Sequence, residues 1–214
     1  MKESKRPSIG EFIWLFVFGC LLGFVLETIY YYLKNGIWIN KQGLLYGPFK
    51  PMYGFGLVLI VLLMHGFKDK KKWQKFLIGV FIGSAFEYLG SVFQEYIFGT
   101  STWDYSSFSM NLSGRLYLPY CLAWGVIAVL CIDYLYPLFK KLFLKVPRTV
   151  GKYLTTFVAI FMIANVVLTS LATIRYSDRA NNIEASNKVF KIIDEIYNDN
   201  YMQIKFPKLN VIKK

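Results

Sequence analysis

Hydrophobic residues in this chain come in long, nearly unbroken runs separated by short polar segments. Over residues 12–33 the one charged residue is Glu27. Further apolar runs cover 52–67, 76–98, 116–139 and 153–174. About 20 apolar residues wound as a helix cross the roughly 30 Å hydrocarbon core of a bilayer. The pattern therefore predicts an all-α integral membrane protein of about five transmembrane helices. The second run is short and must take residues from the Gly/Pro-rich stretch before it. The first is too long for a signal-peptide core and no small-residue cleavage site follows it, so it is expected to be retained.

Composition agrees. With 55% hydrophobic and 18% charged residues in 214, a soluble domain would lack the polar surface to cover its apolar content. The net charge of +12 is no nucleic-acid footprint, because its distribution follows the spans. Lys2, Lys5 and Arg6 precede span 1; Lys68, Lys70, Lys71, Lys72 and Lys75 follow span 2. Lys140, Lys141, Lys145, Arg148 and Lys152 follow span 4, whereas the alternate connections hold only Lys34, Lys41, Lys50 and Arg115. By the positive-inside rule the N-terminus is cytoplasmic and the C-terminus extracytoplasmic, in a plasma membrane. Cys20, Cys121 and Cys131 lie inside spans and match no metal-ligand or disulfide spacing.

The first four spans read as a two-helix unit repeated in parallel. Gly19-x-x-x-Gly23-x-x-x-Glu27 matches Gly79-x-x-x-Gly83-x-x-x-Glu87 at an offset of 60. Gly43-Leu-Leu-Tyr46-Gly-Pro48 matches Gly114-Arg-Leu-Tyr117-Leu-Pro119 at an offset of 71, which also aligns Tyr53-Gly54 with Trp124-Gly125. The divisions that follow are a cytoplasmic N-terminus (1–8), unit 1 (9–66), unit 2 (73–139), span 5 (153–174) and an extracytoplasmic amphipathic tail (175–214). In that tail Asn181-Asn-Ile-Glu184 resembles a capping box. Ile183, Val189, Phe190, Ile193, Ile196 and Tyr197 form an apolar stripe behind it, on the outer surface or against the protein itself, and the remainder reads as irregular.

Candidate chemistry centres on the intramembrane acids. Glycines four apart let two helices approach backbone to backbone, and the simplest role for them here is packing. A glutamate inside a span needs a partner and faces the bundle interior or a wet cavity. Equivalent positions would bring Glu27 and Glu87 face to face across the pseudo-axis, with Arg115, Tyr46, Tyr117 or an exogenous cation between them. A buried, hydrogen-bonded pair that only fixes helix register is the plainer alternative. Glu95 lies about two turns beyond Glu87, and Trp103-Asp104-Tyr105-Ser106, Asn111 and Gly114-Arg115 form the most distinctive loop. Pro48, Pro51 and Pro119 place non-helical backbone at membrane depth, which is tolerated where protein buries it or water reaches it. An outward-facing vestibule lined by these residues, with Tyr53 and Trp124, is expected to bind substrate. Asp133 is expected to pair near Lys140, and Asn165, Thr169 and Thr173 to bond between helices. Catalytic residues and metal ligands are not identifiable, no cofactor is expected, and phosphate-loop, nucleophile-elbow and zinc-protease motifs are missing from the sequence.

The Gly19–Gly23–Glu27 spacing, Gly47-Pro48 with Pro51-Met-Tyr53-Gly54, Glu87 and the 103–115 loop together resemble the ABC-transporter type IV family of bacterial membrane proteins. The likeness covers roughly residues 10–140. It implies a transporter permease and carries over no substrate or catalytic residue. The expectation is a small permease-like protein binding a cation or a cationic or amphiphilic solute. Alternatives are an intramembrane enzyme on a lipid or polyprenol-linked substrate, with a glutamate as acid or base and Arg115 on a phosphate, or an accessory subunit docking through the tail. Expected partners are membrane lipids, and a homo-oligomer or a separate membrane or ATPase protein, but no nucleic acid.

Overall fold

The computed structural model describes residues 7–143, 145 and 147–212. Lys2, Lys5 and Arg6 lie outside the described residues, as does most of the expected N-terminal segment 1–8. Helix α1 (Ile9–Asn35) opens on a capping box: the Ser8 hydroxyl accepts from the Glu11 N–H at 3.2 Å, and the Glu11 carboxylate accepts from the Ser8 N–H at 2.6 Å. Gly36, at φ 70°, closes it with a left-handed cap. Helix α2 (Pro51–Met64) begins on a proline, which has no N–H to leave unsatisfied, and ends in a short 3-10 turn to Phe67. Helix α3 (Lys72–Phe98) is followed by the strand pair β2–β3 (Asn111–Leu112, Leu116–Tyr117). Helix α4 (Leu118–Leu130) widens into a π segment, Cys131–Leu135, and continues as α5 (Tyr136–Phe143). Helix α6 runs from Arg148 to Ala180.

Among the described residues, four helices are long and apolar enough to cross a membrane: Ile9–Asn35, Lys72–Phe98, Leu118–Phe143 and Thr149–Ala180. The fifth apolar helix, Pro51–Phe67, spans only about 25 Å at 1.5 Å per residue. The stretch before it is not helical. The Lys50 N–H donates to the Cys20 carbonyl (3.1 Å), midway along α1. Side chains of α6 hold the same stretch: Asn165 accepts from the Tyr46 N–H (3.2 Å) and donates to its carbonyl (2.7 Å), and Thr169 accepts from the Leu45 N–H (3.0 Å). Asn165 and Thr169 thus satisfy a loop backbone rather than another helix. Phe81, Leu89, Phe157 and Ile163 are largely exposed, as suits side chains facing lipid.

The two hairpins pack alike. A methyl group added at Gly19 would meet Gly54 and Tyr53, and one at Gly79 would meet Gly125, Trp124 and Ala128. Gly23 abuts the Tyr53 side chain and Gly83 the Trp124 side chain. Each contact is the other shifted by the two repeat offsets. Between the hairpins lies a core of Leu15, Leu57, Ile60, Val61, Ala128, Cys131 and Ile132. Asp133, in the π segment, pairs with the buried Lys75 of α3, not with Lys140.

The tail departs most from the sequence expectation. Helix α6 continues through Ala180, so Asn181 ends a helix instead of starting one. The actual N-cap is Asn187, whose side chain accepts from the Phe190 N–H (2.9 Å) and opens α7 (Lys188–Ile196). Helix α8 (Asp199–Lys205) and strand β4 (Asn210–Val211) follow where irregular chain was expected. Of the apolar stripe, Ile193 and Tyr197 are buried with Leu45, Ala172 and Met202, while Ile183, Val189 and Ile196 stay exposed. Strand β4 pairs with β1 (Thr100–Ser101). The tail therefore folds over the same end of the bundle as the 36–50 and 99–117 connections, and it covers Leu45 of the first of them.

Candidate functional site

Helix α1 carries Glu27 near its C-terminal end, where two lysines of the following loop reach it. Lys50 forms an ion pair with one carboxylate oxygen, and the Lys41 ammonium lies 3.4 Å from the other. Lys50 can do this because its backbone is tied at the level of Cys20, so its side chain extends along α1 toward the acid. The Lys50 ammonium also lies 6.0 Å from the Tyr53 ring centre, and Lys41 lies 4.5 Å from that of Tyr31. This acid is doubly compensated.

Glu87, 7% exposed, has a different environment. The Trp124 indole N–H donates to one oxygen at 2.8 Å, and the Tyr105 hydroxyl donates to the other at 3.1 Å. Neither donor carries a charge. Trp124 is brought in by the α3–α4 crossing at Gly83, against which its side chain rests, while Phe86 packs edge-on to it at 6.2 Å.

Tyr105 is delivered by the loop, and every distinctive residue of that loop helps to hold it. Asp104 accepts from both the backbone N–H (2.9 Å) and the hydroxyl (2.6 Å) of Ser106, and these bonds keep its carboxyl below the usual range. The Tyr105 N–H donates to the Gly114 carbonyl at 2.8 Å. Asn111 accepts from the Gly114 N–H (2.9 Å) and donates to the Phe108 carbonyl (2.6 Å), closing the β2–β3 turn. Gly114 sits at φ 67° with Ser106 and Asp104 where a side chain would go, so only glycine fits. Trp103 donates to the Arg115 carbonyl at 3.3 Å, and Arg115 grips Ser91 (2.9 Å) and Glu95 on α3. Burial, then the Glu87 carboxylate, push the Tyr105 phenol well above its ordinary pKa, so it remains a donor. Its ring packs with Tyr120 (5.4 Å), Tyr117 (6.1 Å) and Phe108 (6.3 Å).

The expected residues thus fall into separate groups. Glu87, Trp124, Trp103, Asp104, Asn111, Arg115, Glu95 and Tyr117 belong to one continuous assembly. Glu27 and Tyr53 form a second, joined through the Lys50 ammonium. Tyr46 joins neither acid: its hydroxyl lies 2.8 Å from that of Tyr197 in the tail. The donors expected between the acids are otherwise engaged, with Arg115 on Glu95 and Tyr117 in the aromatic cluster. Tyr105 entered the expected vestibule only as part of its loop, and Lys41 and Lys50 were not expected there at all. Position offered a signal for two of them, since Lys50 stands between Pro48 and Pro51, and Tyr105 within the Trp-Asp-Tyr-Ser motif. Among the described residues, no three His, Cys, Asp or Glu side chains converge as a metal-ligand group.

A family model described as Putative ABC-transporter type IV matches residues 14–170. The match takes in both hairpins and, beyond the stretch where the motifs lie, most of α6; it stops before the tail. No curated protein and no solved structure matches the chain.

Proposed function

The chain belongs to the ABC-transporter type IV family, and from that premise we propose that it is a permease-like membrane protein that binds a cation, or the cationic group of an amphiphilic solute, at Glu87. The observation that carries this reading is the unequal compensation of the two acids. A carboxylate removed from water needs an opposing charge or it is costly to keep ionised. Among the described residues, Glu27 has two lysines, and Glu87 an indole N–H and a phenol. A positively charged solute supplies what Glu87 lacks, and the neighbouring Trp124, Tyr105 and Tyr120 rings offer faces that attract cations.

In this scheme the 103–115 loop is the movable cover of an outward-facing vestibule. Tyr105 must leave Glu87 for a solute to enter, and the Arg115–Glu95 pair forms the rim. With the basic connections on the cytoplasmic side, the site faces outward. Five helices are few for one half of an ABC permease, so energy would come through an oligomer or a separate ATPase.

The test is accumulation or efflux of a panel of alkali cations and quaternary ammonium dyes in cells producing the full chain. Glu87→Gln should abolish the change seen with wild type while leaving membrane insertion and melting intact. Normal movement of every panel member in that variant would contradict the proposal. The intramembrane-enzyme alternative gains no support from the geometry, since Arg115, its phosphate ligand, is occupied by Glu95 and Ser91.

A further inference from the structure

At the opposite end of the bundle from the tail, α3 and α4 leave an open groove of about 280 Å³. Phe76, Val126, Val129 and Leu130 wall it, with a lining almost wholly of carbon, and Lys72 and Trp73 stand at its mouth. Val126, Leu130 and Trp73 are each about half exposed. The mouth is basic: residues 68–72 hold four lysines against Asp69 alone. Nearby Lys75 is neutralised by Asp133, whereas the Lys72 ammonium lies 3.4 Å from the Tyr134 hydroxyl and 5.9 Å from its ring centre. Neither contact removes the Lys72 charge.

We propose that this groove binds one anionic phospholipid. An acyl chain lies along Phe76, Val126, Val129 and Leu130, the headgroup phosphate meets Lys72, and Trp73 sits at the level of the headgroups, where its amphipathic ring is favoured. The groove opens to hydrocarbon, which selects an alkyl chain over a water-soluble ligand. The lysine run selects a net negative headgroup over a zwitterionic one. By the distribution of basic residues this is the cytoplasmic leaflet, the one that carries anionic lipid. The site is independent of Glu87 and stands or falls apart from it.

The test uses the purified full chain, equilibrated with vesicles of phosphatidylcholine alone or mixed with phosphatidylglycerol, and native mass spectrometry of the lipid retained. Wild type should retain a single phosphatidylglycerol in preference to phosphatidylcholine. Lys72→Gln, an exposed change that leaves the helix intact, should cut that preference about fivefold, the equivalent of about 1 kcal/mol for one lysine near a charged surface. Val129→Trp should fill the groove and expel both lipids, with melting confirming that it folds. Equal retention of the two lipids by wild type, or an unchanged preference in Lys72→Gln, overturns the proposal. So does a dimer in which Trp73 becomes inaccessible, since a second copy would then cover the groove.

Discussion

Units 1 and 2 share a scaffold and differ in what faces the glutamate each carries. Both cross their helices on a Gly-x-x-x-Gly face, both rest an aromatic side chain on the second glycine, and both place a glutamate one turn further on. In unit 1 the loop supplies Lys50 to that glutamate. The residue at the corresponding position of unit 2, 71 further along, is Cys121. There the indole of Trp124 and the phenol of Tyr105 take over, and an eleven-residue-longer connection folds into the device that holds Tyr105. Packing is thus conserved between the halves while electrostatics is not. A closed ion pair in one half and a neutral cradle in the other is the division of labour expected of a scaffold and a site.

The comparison breaks most violently at the crossings. Gly83→Leu would drive a side chain into the Trp124 ring, and Gly23→Leu would do the same to Tyr53. Each should cost about 3 kcal/mol or more, the upper range for overpacking, seen as loss of folded protein in thermal melts in detergent. Equal losses would confirm that the halves are packed alike; a neutral result at either would separate them. Gly66 has open space around it, so Gly66→Ala should stay within about 0.5 kcal/mol of wild type.

The tail comes next in size. Arg175 is 1% exposed and holds Asp194 through two hydrogen bonds (2.7 and 3.1 Å) and Asp178 through a third (3.0 Å). Arg175→Met leaves Asp194 with Arg179 alone, at a cost of about 2–3 kcal/mol, below the fully buried range because the acids are partly exposed. Hydrogen exchange should show residues 188–211 opening while α1–α4 keep their protection. Opening of the whole bundle instead would make the tail part of the scaffold.

Lys50→Met sharpens the contrast directly, because it makes unit 1 resemble unit 2. With Glu27 left to Lys41, stability should fall by about 1–2 kcal/mol, and most of it should return in the double variant Glu27→Gln, Lys50→Met. The smallest effect is on acid. Burial raises the Asp194 pKa, but the Arg175 and Arg179 hydrogen bonds outweigh it and hold the group below the ordinary 3.8. Its contribution is therefore full above that value and lost as pH falls through the lower, folded one. Tail protection should decline only below about pH 4, and Asp194→Asn should remove that dependence.

Much of this architecture was legible in the chain because its signals are local. Apolar run length marks the spans, glycines four apart mark the crossings, and two sequence offsets align the hairpins. What could not be read depends on where loops go. Nothing near Lys50 says that its N–H will bind Cys20 and so aim its ammonium at Glu27. Nothing near Tyr105 says that its hydroxyl will meet Glu87, 18 residues away and reached only through the β2–β3 turn. Asn181 carries a plausible helix-start pattern, but Arg175, Asp178 and Arg179 hold α6 together right up to it by pairing with one another and with α7. The capping role passes to Asn187.

The central claim is that Glu87, and not its repeat partner, is the acid open to a cation. The direct measurement is the melting shift of purified full-length protein on addition of alkali cations and quaternary ammonium ions, with Glu27→Gln and Glu87→Gln compared side by side. The account predicts that a cation stabilising wild type still stabilises Glu27→Gln and no longer affects Glu87→Gln. A response that survives in Glu87→Gln and vanishes in Glu27→Gln would contradict it.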